Sequence, residues 1–214
     1  MQAFMLTPGP ERQRAQMART HPKSATGSLR IVAGNLRGSR LGVPDVKGLR
    51  PTSDRVRETL FNWLAPVIVG ARCLDLYAGT GALGIEALSR GAAHCVFVER
   101  EWGLCELLRQ NLARLRVADA RVVNDDAQGF LAAPAPAEAF DLVFLDPPFS
   151  ANLWTPAARR LEQACWLGAG AFVYVETPTD ADFEPPVGWN SYREGHAGAV
   201  RFALYRRLAR DPLS

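Results

Sequence analysis

From Arg72 onward, short β-prone runs alternate with helical ones, and no other feature of the chain constrains its fold so tightly. CLDLY, HCVFVE, RVVN, DLVFLD and AFVYVE are short, apolar and mostly β-branched or aromatic. Between them lie the helical stretches 82–90, 102–116 and 153–165, the second with apolar residues at 104, 105, 108, 112 and 115. Such alternation predicts parallel strands joined by helical crossovers and buried on both faces. The end differs: WNSYREG and VRFALYRRL have no helix between them, which predicts an antiparallel hairpin closing one edge. The fold class is therefore α/β, with a mostly parallel sheet.

The region upstream reads differently. Residues 1–28 carry three prolines, scattered arginines and no periodicity, and read as a basic disordered tail. Residues 29–33 and 40–43 flank a turn containing Asn35, Gly38 and Ser39, which predicts a small hairpin within a 29–50 extension. Pro51 then stops what precedes it. Thr52, Ser53 and Asp54 can cap a helix whose apolar face holds Val56, Leu60, Trp63 and Leu64. The main domain is expected over 51–208, followed by a short tail over 209–214. Charge follows the same division: residues 1–50 hold nine Arg/Lys and two Asp/Glu (+7), and the remaining sixteen bases and twenty acids give −4. A basic arm on a mildly acidic body fits contact with a polyanion. No apolar run approaches the ~20 residues of a membrane span, and the N-terminus lacks a signal-peptide core. Cys73, Cys95, Cys105 and Cys165 form no CxxC pair, so reduced thiols and no metal site are expected. These features point to a cytoplasmic protein.

The first strand of the alternation ends in DLYAGTGALG. Gly79, Gly81 and Gly84 spell GxGxxG between a predicted strand and a predicted helix, where glycines let a ligand approach backbone amides and a helix N-terminus. Glu99, 20 residues after Gly79 at the end of the next strand, is placed to accept both hydroxyls of a ribose. A nicotinamide enzyme would use the same pattern. Asp75 argues against that, because a carboxylate four residues before Gly79 would repel a pyrophosphate and attract the ammonium of a methionine moiety. In RVVNDDAQGF, Asp126 can accept from an adenine amine while the Ala127 amide donates to the ring. Asp125 is an alternative, and either acid could equally be a helix N-cap.

The fourth strand runs into Asp146-Pro147-Pro148-Phe149. Two prolines fix the backbone and remove two N–H donors. The Asp146 carboxylate and the Pro147 carbonyl form a rigid acceptor pair for the two hydrogens of a planar exocyclic amine, and Phe149 can stack on its ring. The expected strand order puts this turn beside the glycine loop.

With these motifs in place, the chain resembles the class I S-adenosylmethionine-dependent methyltransferases. It resembles more narrowly the RsmD family, which methylates the N2 amine of one guanine in bacterial small-subunit (16S) rRNA. The resemblance covers about Leu29 to Leu208 and is carried by RIVAGNLRG, LRPTSDRVRETLFNWL, CLDLYAGTGALGIEALSRGA and FLDPPF. It implies a Rossmann-like, seven-stranded domain. It further implies that Asp75, Gly79, Gly81 and Glu99 hold the methionine and ribose ends of S-adenosylmethionine, and that Asp126 holds its adenine. Arg50 and Thr52 would close over the methionine carboxylate. Asp146, Pro147 and Phe149 would hold the target guanine, and Arg30, Arg37 and Arg40 would touch rRNA phosphates. The expected partner is small-subunit rRNA in an assembled or assembling subunit, met by a monomer without a membrane. Three other readings remain at this point: an adenine-N6 or cytosine-N4 methylase, a nicotinamide-dependent oxidoreductase, and a catalytically silent RNA-binding module.

Overall fold

A computed structural model describes residues 27–44 and 52–208. The expectations for the tail before residue 27, for Arg50 and for residues 209–214 lie outside these residues. The elements in chain order are β1 (Gly27–Arg30), β2 (Arg40–Val43), α1 (Asp54–Leu64), β3 (Arg72–Asp75), α2 (Ala82–Ser89), β4 (His94–Glu99), α3 (Trp102–Arg114), β5 (Ala120–Asn124), α4 (Ala127–Ala132), β6 (Phe140–Leu145), a 3₁₀ turn (Phe149–Ala151), α5 (Trp154–Gln163), β7 (Leu167–Pro178), β8 (Trp189–Ala197) and β9 (Val200–Arg207).

The main sheet has the order β5-β4-β3-β6-β7-β9-β8. Strands β3 to β7 are mutually parallel, and β9 runs antiparallel to both β7 and β8. The expected Rossmann-like α/β sheet, closed at one edge by an antiparallel hairpin, is what the chain forms. The chain builds outward from β3 to β5 and then returns to place β6 on the other side of β3. This reversal opens a crevice above the carboxyl ends of β3 and β6, the place where open α/β sheets take ligands.

Strand alternation divides the core in two. Cys73, Cys95, Phe97, Leu142, Phe144 and Tyr174 face one side, where Leu60, Phe61 and Leu64 of α1, Leu83 and Ile85 of α2, and Leu108 of α3 cover them. Leu74, Val96, Val98, Val143, Leu145, Val173 and Val175 face the other, under Leu131 of α4 and Ala157, Ala158 and Leu161 of α5. Both faces are buried, so the strands read as continuous apolar runs rather than as alternating patterns. Helix α1 starts at Ser53, whose hydroxyl accepts from the Val56 amide, and it extends across the sheet as far as β9 by stacking Trp63 on Phe202. None of the described helices is long and apolar enough to cross a membrane.

The N-terminal hairpin forms as expected but in shifted bounds. β1 begins at Gly27 and ends at Arg30, rather than running to residue 33. The cause is local: the amides of Val32 and Ala33 are taken by the Glu86 carboxylate of α2, at 2.7 and 3.0 Å, and so leave the ladder. Asn35 and Leu36 bind Ser89 in the same way, through its carbonyl and its hydroxyl. The hairpin is thereby docked on the C-terminal half of α2.

Candidate active site

The crevice is built from strand ends. At β3, the turn after Asp75 forms a tight loop in which Gly81 adopts φ 77° as the N-cap of α2. A side chain at Gly84 would run into the Phe97 ring of β4, so α2 can approach the sheet only with glycine there. Asp75 lies behind this turn. It is 3% exposed and its Oδ2 accepts from the Gly84 amide at 3.0 Å. Burial, with a smaller push from Glu99, raises its pKa to about 7 against the opposing Gly84 hydrogen bond. Asp75 thus braces the turn through the Gly84 amide.

Glu99, half-buried at the end of β4, ties its strand to the turn. One carboxylate oxygen accepts from the Gly79 amide at 2.9 Å, and the other from the Glu101 amide at 2.8 Å. Each oxygen keeps a second lone pair for a further donor. Beyond β5, Asp126 is the N-cap of α4: its Oδ1 accepts from Gln128 and Gly129, each at 2.9 Å. The capping alternative for this acid is therefore realised, and it commits one of the two oxygens. The carboxylate of Asp125 accepts from the Asp126 amide, and its own amide binds the Glu99 carbonyl. Ala127 occupies the first position of α4, where a backbone N–H has no intrahelical acceptor.

On the other side of the reversal, β6 ends at Leu145 and the chain enters the Asp146-Pro147-Pro148-Phe149 turn. Asp146 is partly exposed, Pro147 buried, and Phe149 36% exposed with its ring 6.1 Å from that of Trp154. Three further residues, Glu176, Tyr174 and Trp154, join them, together with Thr52. Glu176, near the end of β7, is buried. Its Oε2 accepts from Tyr174 Oη at 2.8 Å and from Thr52 Oγ1 at 3.2 Å, and its carbonyl accepts from Trp154 Nε1 at 2.7 Å. Thr52 Oγ1 also reaches Asp146 Oδ2 at 3.4 Å. Burial first, then Glu176 and Asp75, raise the Asp146 pKa well above the ordinary carboxylate range, and only the Thr52 hydroxyl lowers it. A sequence signal for Glu176 existed: AFVYVE, like HCVFVE and DLVFLD, closes an apolar run with an acid.

The hairpin supplies the basic surface. Arg30, Arg37 and Arg40 are exposed. Arg30 and Arg40 are direct cross-strand partners, so two like charges sit opposite each other. Such a pair is unfavourable until an anion joins it. The Arg114 guanidinium of α3 donates to the Arg40 carbonyl and brings a further exposed cation to this edge. By contrast, Arg57 is fully buried. It is therefore not part of this exposed basic surface.

Five acids thus line successive strand ends: Asp75, Glu99 and Asp126 on one side of the reversal, Asp146 and Glu176 on the other. Such a crevice suits a cationic ligand and disfavours a pyrophosphate. Comparison with known proteins agrees. The family model described as Conserved hypothetical protein 95 matches residues 29–206. The Ribosomal RNA small subunit methyltransferase D of Escherichia coli (strain K12) is 48% identical over 187 residues, covering 87% of this chain and 93% of the relative. Its counterpart in Haemophilus influenzae is 43% identical over 192 residues, covering 89% and 100%. Among solved structures, the Escherichia coli protein yhhF superimposes with a TM-score of 0.80 at 46% identity, over 86% of this chain and all of the other. An RNA methyltransferase from Salinibacter ruber in complex with S-adenosyl-L-homocysteine shares the fold, with a TM-score of 0.58 at 20% identity, over 77% of this chain and 98% of that one. A model match over most of the chain, and near-full-length relatives at this identity, place the chain in the RsmD family of small-subunit ribosomal RNA methyltransferases.

Proposed function

We propose that this chain transfers the methyl group of S-adenosylmethionine to the exocyclic N2 amine of one guanine in small-subunit rRNA. The observation that carries this reading is the adjacency of the Asp146-Pro147-Pro148-Phe149 turn and the glycine turn, on the neighbouring strands β6 and β3. A rigid amine-accepting turn beside a cofactor loop is what transfer to an exocyclic amine requires.

The residues present fit the cofactor. The carboxylate-lined crevice favours a ligand carrying a sulfonium and an ammonium over a dinucleotide. Glu99 would take the ribose hydroxyls on its remaining lone pairs, while Gly79 and Gly81 let the ligand lie against the turn. Asp126, through its second oxygen, and the Ala127 amide would hold the adenine. Asp75 would act from behind the turn, by fixing it and by its charge. The Thr52 hydroxyl, engaged with Asp146 and Glu176, serves the base side in this reading, which leaves the methionine carboxylate to Arg50 of the two residues first considered.

When bound, S-adenosylmethionine supplies an electrophilic methyl. The guanine amine is a poor nucleophile because its lone pair is delocalised into the ring. Donation of its two hydrogens to the Asp146 carboxylate and the Pro147 carbonyl pushes the nitrogen toward tetrahedral geometry and localises that pair. Phe149, exposed at the rim, stacks on the base, and Asp146 takes the proton lost on methylation. Alignment can supply ~7–11 kcal/mol and proton acceptance a factor of about 10²–10⁴, so positioning dominates. The base must be unstacked to reach the turn, which costs a few kcal/mol and favours a loop or bulge. Arg30, Arg37 and Arg40 bind phosphates and orient the RNA without reading its bases. The enzyme acts as a cytoplasmic monomer on rRNA in an assembled or assembling subunit.

Digestion of treated small-subunit rRNA to nucleosides, followed by mass spectrometry, tests the reading. N2-methylguanosine is expected. N6-methyladenosine or N4-methylcytidine would overturn the choice of base, and tight binding of NAD in place of S-adenosylmethionine would overturn the chemistry.

A further inference from the structure

Two acids close neighbouring parallel strands side by side. The ladder pairs Leu145 of β6 with Val175 of β7, so Asp146 and Glu176 are the next residues along each strand. Between them stands one hydroxyl, Thr52 Oγ1, 3.4 Å from Asp146 Oδ2 and 3.2 Å from Glu176 Oε2. A hydroxyl carries one proton, so Thr52 donates to one acid at a time, and accepts from the other only when that acid is protonated. Tyr174 Oη, donating to Glu176 Oε2 at 2.8 Å, completes a chain of four oxygens: Tyr174, Glu176, Thr52, Asp146. Holding an amine needs only the first acid of the pair. A second buried carboxylate beside it is costly unless its hydrogen bonds and its charge are used.

We propose that Glu176 is a positioning residue for the methyl transfer. Acting through the Thr52 hydroxyl, it holds the Asp146 carboxylate toward the base and sets the pH at which Asp146 can accept the amine proton. The inference rests on the role given to Asp146 above. Among the described residues, the titratable groups that act on Asp146 are Glu176 and Tyr174 on β7 and Asp75 on β3, with the Thr52 hydroxyl ahead of α1. Glu176 and Asp75 raise the Asp146 pKa and Thr52 lowers it, so Glu176 and Thr52 act on one carboxyl in opposite senses. The step balances. The nitrogen lone pair forms the new N–C bond while the pair of the breaking C–S bond stays on sulfur. The N–H pair returns to nitrogen as its proton goes to Asp146. Thr52 can then take that proton while passing its own to Glu176, with no net change of charge along the chain.

Single-turnover methyl transfer is measured against pH for the wild type, Glu176→Gln and Thr52→Val, with thermal melting as the check on folding. Glu176→Gln removes a like charge and should move the acidic limb of the profile to lower pH, by about one unit or more. Thr52→Val removes the stabilising donor and should move it to higher pH. A structural role alone gives no reason for opposite shifts. Tyr174→Phe, which deletes only a donor to Glu176, should move the limb in the same direction as Glu176→Gln, and it serves if that variant does not fold. Limbs that stay in place, or that all move the same way, overturn the proposal. Asp146→Asn separates the two readings. If it retains more than about a tenth of the wild-type rate, against a general-base contribution of 10²–10⁴, the role of Asp146 fails and this proposal with it. If it is inactive while the limbs stay fixed, the proposal fails alone.

Discussion

Arg57 Nη1 lies 3.6 Å from Glu86 Oε2, and neither side chain is exposed. The pair joins three elements. Glu86 also accepts from the amides of Val32 and Ala33 and from Arg90 Nε, while Arg57 Nη2 donates to the Arg30 carbonyl at 2.8 Å and to Asp54 at 2.7 Å. Helix α1, helix α2 and the N-terminal hairpin are thereby locked together without a covalent link. Glu86→Ala leaves two backbone amides without their acceptor and the buried guanidinium with only the carboxylate of Asp54, and such a break costs about 3–5 kcal/mol. Urea unfolding should show a loss of this size, and tryptic cleavage within the 30–40 hairpin should speed up. Undiminished stability would mean that the pair is dispensable.

Asp146→Ala should lower the methyl-transfer rate by about 10²–10⁴-fold. S-adenosylhomocysteine should still bind with near wild-type affinity, because the residues we assign to the cofactor, Glu99 and Asp126 among them, lie on the other side of the strand reversal. Calorimetry and single-turnover kinetics on the same preparation separate the two effects. An equal loss of affinity and rate would place Asp146 in the cofactor half.

Glu99→Ala should weaken cofactor binding by about 1.5–3 kcal/mol, the value of a hydrogen bond to a charged group. It also frees the Gly79 and Glu101 amides, so Glu99→Gln, which can keep one of these acceptors, should lose less. Titration with S-adenosylhomocysteine and with adenosine should show the same deficit for both ligands, since Glu99 is assigned to the ribose.

Asp75 makes stability depend on pH in an unusual direction for a carboxylate. Its pKa in the folded protein is raised to about 7 from 3.8, so the folded state holds a proton that the unfolded chain releases. Its contribution is fully present below pH ~4 and is lost as pH rises through 7. Each unit is worth about 1.4 kcal/mol, so the loss reaches up to about 4 kcal/mol. Asp75→Asn removes the titration, and its stability relative to wild type should rise between pH 5 and pH 8 in urea melts. A difference independent of pH would show that the buried acid does not titrate in this range.

Replacing Arg30, Arg37 and Arg40 together should weaken rRNA binding and flatten the plot of log affinity against log salt by about 0.7–0.9 per lost contact. The methylated nucleoside should not change. Since Arg114 reaches the Arg40 carbonyl, Arg114→Ala should loosen the hairpin edge and produce a smaller decrease in the same slope.

The parallel sheet, its closing hairpin and the crevice were legible because periodicity and glycine spacing are local signals. Asp146, Glu99 and the glycine turn could be found for the same reason: each marks a strand end by itself. What the sequence concealed was burial of charge. Nothing in RPTSDRVRE distinguishes the exposed Arg55 from the buried Arg57, and only the packing of α1 against α2 turns the latter inward. Asp75 is visible as an acid before a glycine turn, but whether it faces the ligand or the Gly84 amide depends on how the loop folds over it. Glu176 gains its meaning from the register of β7 against β6, a relationship between residues thirty positions apart that no local pattern reports.

The insertion of β9 between β7 and β8 has a kinetic consequence. It makes β7 an interior strand, laddered to both β6 and β9 as far as Val175, so the backbone leading into Glu176 can be released only by opening two ladders together. At the opposite border, β5 is a five-residue strand paired with β4 alone. Amide exchange should therefore be slowest around Phe172–Val175 and faster along Ala120–Asn124. One wall of the crevice can breathe to admit and release the nucleoside, while the wall that holds the acid pair keeps its shape through every turnover.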